Sequence, residues 1–173
     1  MVPAMQLTTR AAEAGDAAVV AAIYNQGIAD RVATFETEPR TAAQVAALLA
    51  DRWEGHPAVV VEREGAIVGF AWTAPYSSRP CYRGIGEFSV YVAREARGTG
   101  AGGAVLRALI DECERRGFWK LVSRVFPENA ASRGLCASAG FREVGVHHRH
   151  GRLDGAWRDV VIVERLVGEG VEP

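Results

Sequence analysis

Cysteine is scarce in this chain and unevenly placed. Cys81, Cys113 and Cys136 are an odd, scattered trio that makes a poor disulfide framework, and none stands in a Cys-x-x-Cys pair of the kind that holds zinc. That usage points to a reducing, cytoplasmic compartment and to no metal. Long hydrophobic runs are missing too: none approaches the roughly 18 residues needed to span a bilayer, so no membrane partner is expected. Met1-Val2-Pro3-Ala4-Met5 shows no basic patch followed by an apolar stretch, so it does not read as a secretion signal, and Met5 could itself be the start. The formal net charge is only -1, which leaves no basic excess for a phosphate backbone and argues against a nucleic-acid partner. No repeat, linker or low-complexity segment divides the chain.

What the chain has is core. Hydrophobic residues make up 49% of its 173 residues, which suits one domain over residues 1–173. Gln6 to Arg10 reads as an opening strand, and Gly15-Asp16 offers an N-cap to a helix carrying Val19, Val20, Ile23 and Tyr24. Thr41-x-x-Gln44 is a capping box for a second helix, with Val45, Leu48, Leu49 and Trp53 on one face before Pro57. Val59 to Val61 and Ile67 to Trp72 form a hairpin about Arg63-Glu64-Gly65. A long loop, Pro75 to Gly86, precedes a strand from Glu87 to Val92. A glycine-rich turn then opens a helix striped by Val105, Leu106, Leu109, Ile110 and Cys113 and closed by Arg115-Arg116-Gly117. Leu121 to Phe126 is a strand, Ala130 to Ala139 a short helix, and Val144 to His148 and Trp157 to Leu166 two last strands joined through residues 151–155. The order β-α-α-β-β-β-α-β-α-β-β predicts a mixed α/β domain.

The chemistry gathers at Arg97-Gly98-Thr99-Gly100-Ala101-Gly102-Gly103, between a strand and a helix. Glycines let a backbone turn tightly and bring its N–H groups to a ligand, and a helix N-terminus adds partial positive charge, so the loop suits a pyrophosphate. One alternative is a flexible turn with no ligand. Another is a dinucleotide site, since Gly98-x-Gly100-x-x-Gly103 fits that fingerprint and Glu128 lies near the expected acidic position. Only about 70 residues follow the loop, however, too few for the remaining strand–helix units of a doubly wound sheet.

Arg97-x-x-Gly100-x-Gly102 resembles the Gln/Arg-x-x-Gly-x-Gly/Ala pyrophosphate loop of the GCN5-related N-acetyltransferases, the GNAT superfamily. Pro127-Glu128-Asn129-Ala130-Ala131-Ser132 and Ala139-Gly140-Phe141 are similar to later segments of that family, so the resemblance covers nearly the whole chain. It implies a mostly antiparallel sheet of six or seven strands flanked by about four helices, with strands 4 and 5 splayed around the co-substrate acetyl-CoA. It assigns to acetyl-CoA the strand Val90-Tyr91-Val92, the loop Arg97, Gly98, Thr99, Gly100, Ala101, Gly102 and Gly103, and the residues Asn129 and Ser132. The backbones of Val90 and Val92 would offer N–H groups to the acetyl carbonyl.

Further segments resemble phosphinothricin acetyltransferases: Phe35-Glu36-Thr37-Glu38-Pro39, Arg79-Pro80-Cys81-Tyr82, the acidic Glu87 and Trp157-Arg158-Asp159-Val160. Arg31 to Pro39 and His150 to Gly155 look like arsinothricin N-acetyltransferases, which remove the toxicity of an arsenic-containing glutamate analogue. The resemblance implies a small amino-acid substrate and a homodimer. Glu87 is the candidate general base, acting through a water, with burial raising its pKa. Arg79 and Tyr82 are candidates to hold a carboxylate or oxyanion, and Phe35 to wall the pocket. Cys136 stands where many relatives carry a Tyr acid and reads as core or cofactor-adjacent. The basic cluster His147 to Arg152 reads as a solvated or interface hairpin rather than a metal site, because strand alternation should separate the imidazoles. Other readings are acetylation of methionine sulfoximine or sulfone, N-terminal acetylation of proteins, or an acyl-CoA sensor without turnover.

Overall fold

Residues 6–50 and 55–171 are described by the computed structural model. The initial Met1 to Met5 segment and Trp53 lie outside the described residues.

Among the described residues, seven strands and four α-helices follow one another in the expected order. They are β1 (Leu7–Ala11), α1 (Ala17–Asp30), α2 (Ala42–Ala50), β2 (Ala58–Arg63), β3 (Ala66–Pro75), β4 (Ile85–Val92), α3 (Ala101–Arg115), β5 (Lys120–Val125), α4 (Ala130–Ser138), β6 (Arg142–Leu153) and β7 (Ala156–Leu166). One sheet orders them β1-β2-β3-β4-β5-β7-β6. Every pairing is antiparallel except β4 with β5.

Local chemistry accounts for most element ends. The Thr41 N–H donates to Gln44 Oε1 at 2.8 Å and the Gln44 N–H to Thr41 Oγ1 at 3.2 Å, a reciprocal cap that starts α2. Asp16 departs from expectation. Its carboxylate accepts the Glu13 N–H at 2.8 Å and two N–H groups of Arg10, so it closes the preceding turn and ties it to β1 instead of capping α1. The β2–β3 and β6–β7 hairpins turn through Glu64-Gly65 and Asp154-Gly155, all four with positive φ. That is the two-residue turn whose twist matches the flanking strands. The β6–β7 connection is therefore two residues long, not five, and β6 runs on to Leu153.

The core lies between the sheet and its helices. The α3 stripe is buried as its spacing predicts, from Val105 through Cys113. Tyr24 of α1 packs edge-on to Tyr91 at 4.7 Å and beside Phe70 at 6.4 Å. Phe88 packs on Phe141 at 4.7 Å, while a Cβ on Gly102 would lie 3.5 Å from Val92 Cγ2. Alternation along β4 thus turns Phe88, Val90 and Val92 toward α3 and α4, and Glu87, Ser89 and Tyr91 toward α1. No helix among the described residues is long and apolar enough to cross a membrane.

Leu109 has no exposed surface. Leu109→Ala should lower the unfolding free energy by about 2–5 kcal/mol, read from the urea midpoint at unchanged m-value. A loss under about 1 kcal/mol would mean that α3 is not seated as described.

Candidate active site

The parallel pairing of β4 with β5 joins Ile85, Gly86 and Glu87 to Lys120, Leu121 and Val122, and there it ends. Beyond Glu87 the strands part, and the opening is a cleft of about 630 Å³. Ser123 Oγ reaches across to the Phe88 carbonyl at 2.8 Å. On the opposite edge of β4, the Ala93 N–H donates to Val68 of β3 at 2.9 Å. Since backbone groups alternate between the two edges of a strand, the N–H groups of Val90 and Val92 face the parted side. The cleft runs through the sheet. Its lining includes the glycine loop, Asn129, Ser132, Leu135 and Cys136 as well as Gly27, Asp30, Val32, Ala33 and Arg124.

The loop has the shape that its glycines predict. Gly98 and Gly100 take φ of 75° and 89°, and Gly100 is the N-cap of α3. Arg97, Gly98, Gly100, Gly102 and Gly103 line the cleft. Thr99 instead turns its hydroxyl back to the Ala96 carbonyl at 2.6 Å, and Ala101 is packed into the core. Tyr91 presents only backbone, because its ring lies between Tyr24 and Phe70 and burial pushes its hydroxyl pKa up. The α3 N-terminus, with glycine amides before it, is chemically suited to a diphosphate.

Arg97 is already engaged. Its Nε donates to the Val92 carbonyl at 3.2 Å, and its Nη2 lies 2.8 Å from Asp30 Oδ2. That carboxylate also accepts two N–H groups of Arg94, and the Arg94 and Arg97 contacts together hold the Asp30 pKa below the usual range. Asn129 is engaged as well: its Oδ1 accepts the Ser132 N–H at 3.1 Å, and its Nδ2 donates to the Val32 carbonyl at 3.0 Å. It caps α4 and straps that helix to the segment after α1.

Glu87 stands on the last rung of the β4–β5 ladder, on the α1 face. It is partly exposed and ion-paired with Arg124, so it is less buried than expected, and it is Arg124, not Glu87 itself, that lines the cleft. Phe35 packs edge-on to Phe126, a cleft residue, at 4.9 Å, one layer back from the opening. Arg79 and Tyr82 are on the exposed loop after β3, where Tyr82 meets Tyr76 at 5.8 Å, and neither lines the cleft. Cys136 does line it. Burial, with the Glu143 charge second, pushes its thiol up to about 11. Three residues of β6, His148 to His150, stand opposite Asp159 alone, and His147, just before this bulge, and His150, within it, have ring centroids 4.9 Å apart at a tilt of 44°. Alternation therefore does not separate those imidazoles. Among the described residues, no group of three or more His, Cys, Asp or Glu is placed to hold a metal.

Asp30 and Arg124 are not among the residues that the sequence alone singles out. The signal for Arg124 was present, as a cation inside a strand whose neighbours Ser123 and Val125 face the other side.

Residues 21–141 match the acetyltransferase (GNAT) family model. The chain belongs to that family. It is 34% identical to the phosphinothricin N-acetyltransferase of Alcaligenes faecalis, over 94% of this chain and 84% of that one. A crystal structure of a phosphinothricin acetyltransferase from Sinorhizobium meliloti, in complex with acetyl-CoA, has a TM-score of 0.88 at 32% identity, covering 98% of this chain and 92% of its own. A ribosomal-protein-alanine N-acetyltransferase from Brucella melitensis has a TM-score of 0.89 at 33% identity, covering 92% and 99%. This GNAT chain is an acetyltransferase, and its co-substrate is acetyl-CoA.

Two outcomes follow from the cleft's geometry. Gly100→Val puts a branched side chain on a left-handed φ at the head of α3 and should weaken coenzyme A binding at least about tenfold by calorimetry. Unchanged affinity would remove the loop from the site. Iodoacetamide at pH 8 should label exposed Cys81 and spare Cys136, whose labelling should rise only as the pH nears its raised pKa of about 11. Equal labelling by mass spectrometry would contradict the buried thiol.

Proposed function

We propose that this GNAT enzyme acetylates the α-amino group of a small, anionic, glutamate-like amino acid, of the class of phosphinothricin and arsinothricin, and so removes its toxicity. The observation that carries the reading is Glu87. Its carboxylate stands where the two strands part, on the face opposite the glycine loop. Coenzyme and amine can then approach from opposite sides of the sheet. The likeness to phosphinothricin N-acetyltransferases and the Phe35 to Pro39 and Arg79 to Tyr82 segments support the substrate class.

Acetyl-CoA, when bound, supplies an acetyl thioester whose carbonyl carbon takes the new N–C bond as the C–S bond breaks. The loop amides from Gly98 to Gly103 and the α3 N-terminus would hold its diphosphate. The N–H groups of Val90 and Val92 would donate to the acetyl oxygen as charge gathers on it. Glu87 takes a proton from the substrate ammonium through a water, leaving the lone pair free. Cys136 stays a thiol at neutral pH and is a weaker acid than usual, which makes it a poor proton source for the departing sulfur.

The likeness to the Brucella ribosomal-protein-alanine N-acetyltransferase favours a second reading, acetylation of a protein N-terminus. For the homodimer that the sequence resemblance implies, the candidate face is the outer hairpin, where Val144, Val146 and Trp157 are exposed.

Glu87→Gln should keep coenzyme A binding by calorimetry and lose turnover by roughly a hundredfold or more. Wild-type turnover would remove Glu87 from the chemistry. Thiol release measured with phosphinothricin, arsinothricin, methionine sulfoximine, glutamate and an alanyl peptide should show the first two as the best substrates. Preference for the peptide would establish the second reading instead.

A further inference from the structure

Two arginines line the cleft, Arg97 and Arg124. They differ in what they have left to offer. Arg97 is committed to Asp30 and to the Val92 carbonyl. Arg124 has one partner among the described residues, Glu87, which its Nη1 meets with Oε1. Its Nη2 and Nε are without a protein partner there, so part of its fork is free. The Arg124 side chain keeps 43% of its exposure and that of Glu87 28%, so a small solute can reach both. Other arginines near the opening are spent. Arg31 pairs with Asp154, and Arg158 pairs with Glu128 and stacks on Phe126.

Both partners lie on the α1 face of adjacent strands, at the point where the ladder stops. An α-amino acid presents the mirror of this arrangement: an ammonium and a carboxylate on one carbon. We infer that Glu87 and Arg124 form a receptor for that zwitterion, with Glu87 facing the α-ammonium across the water that carries its proton and Arg124 taking the α-carboxylate. This rests on the amino-acid reading above and goes further, because it makes Arg124 the residue that restricts the enzyme to free α-amino acids. Four alternating charges then close a ring. None is left uncompensated. The guanidinium fork suits the planar carboxylate, and the substrate's own charge orders the nitrogen beside the base. Arg79 does not line the cleft.

The test compares each acid with its α-carboxamide, which keeps the amine and loses the charge. L-methionine sulfone, phosphinothricin and their carboxamides are assayed by thiol release with wild type, Arg124→Gln and Arg124→Lys. Wild type should prefer each acid by at least about tenfold in kcat/KM, the scale of one charge-assisted contact. Arg124→Gln should bring that ratio near one by raising KM for the acid, with KM for acetyl-CoA within about twofold of wild type. Arg124→Lys should retain part of the preference. Any effect of the lost ion pair on Glu87 is shared by acid and amide and cancels in the ratio, and circular dichroism checks the fold. An acid preference that survives in Arg124→Gln, or a wild type that acetylates amides as well as acids, would overturn the receptor while leaving the amino-acid reading in place. Acetylation of the alanyl peptide with neither acid nor amide accepted would overturn both.

Discussion

The separation of β4 from β5 after a short parallel ladder is the constraint on which the site rests. Backbone N–H and C=O groups facing such an opening lose their sheet partners, and an unpaired buried amide is costly. The strands tolerate this because their other edges are firmly held. β4 keeps antiparallel register with β3 from Gly86 to Val92, and β5 keeps it with β7 along its whole length. Ser123 satisfies one carbonyl across the gap. What remains is a row of donors fixed by sheet geometry, at which an acyl oxygen can settle with little rearrangement.

Around that opening the α1–α2 connection is fastened from several directions. Asn129 donates to Val32, Arg31 pairs with Asp154 of the β6–β7 turn, and Arg40 pairs with Glu36 and lies over the Tyr24 ring at 4.8 Å. The α1–α2 connection is thus tied both to the start of α4 and to the outer hairpin. A small residue, Gly27, lets α1 come close: a Cβ there would stand 2.7 Å from the Tyr91 ring.

Much of this was readable from the chain. The helical stripe of α3, the capping box of α2 and the glycine turn before α3 each depend on neighbours a few residues apart, and each formed where its spacing said. Glu87 was singled out by resemblance, because a carboxylate near a strand end is by itself as readily a solvated group as a base. What could not be read depends on residues distant in sequence. Asp30 meets Arg94 and Arg97 only once α1 lies across β4, and Arg124 meets Glu87 only once β5 is placed. Asn129 was assigned to the coenzyme by resemblance, and nothing local shows that its amide also reaches Val32. The histidine bulge on β6 escaped because alternation assumes a regular ladder, and Arg149, at a φ of 49°, breaks it.

The Asp30 carboxylate has an effect on how an anion is captured. A guanidinium that already faces a carboxylate projects little net field, so Arg97 contributes rigidity more than attraction. On the proposed binding mode, the pull on a diphosphate would fall to the fixed dipoles of the loop amides and the α3 terminus, which act over about one helical turn. Capture of this kind is short-ranged. It selects by fit at close approach rather than by drawing polyanions from a distance, so a cleft lined by glycine and arginine can stand open in a crowded solution without collecting every nucleotide that passes.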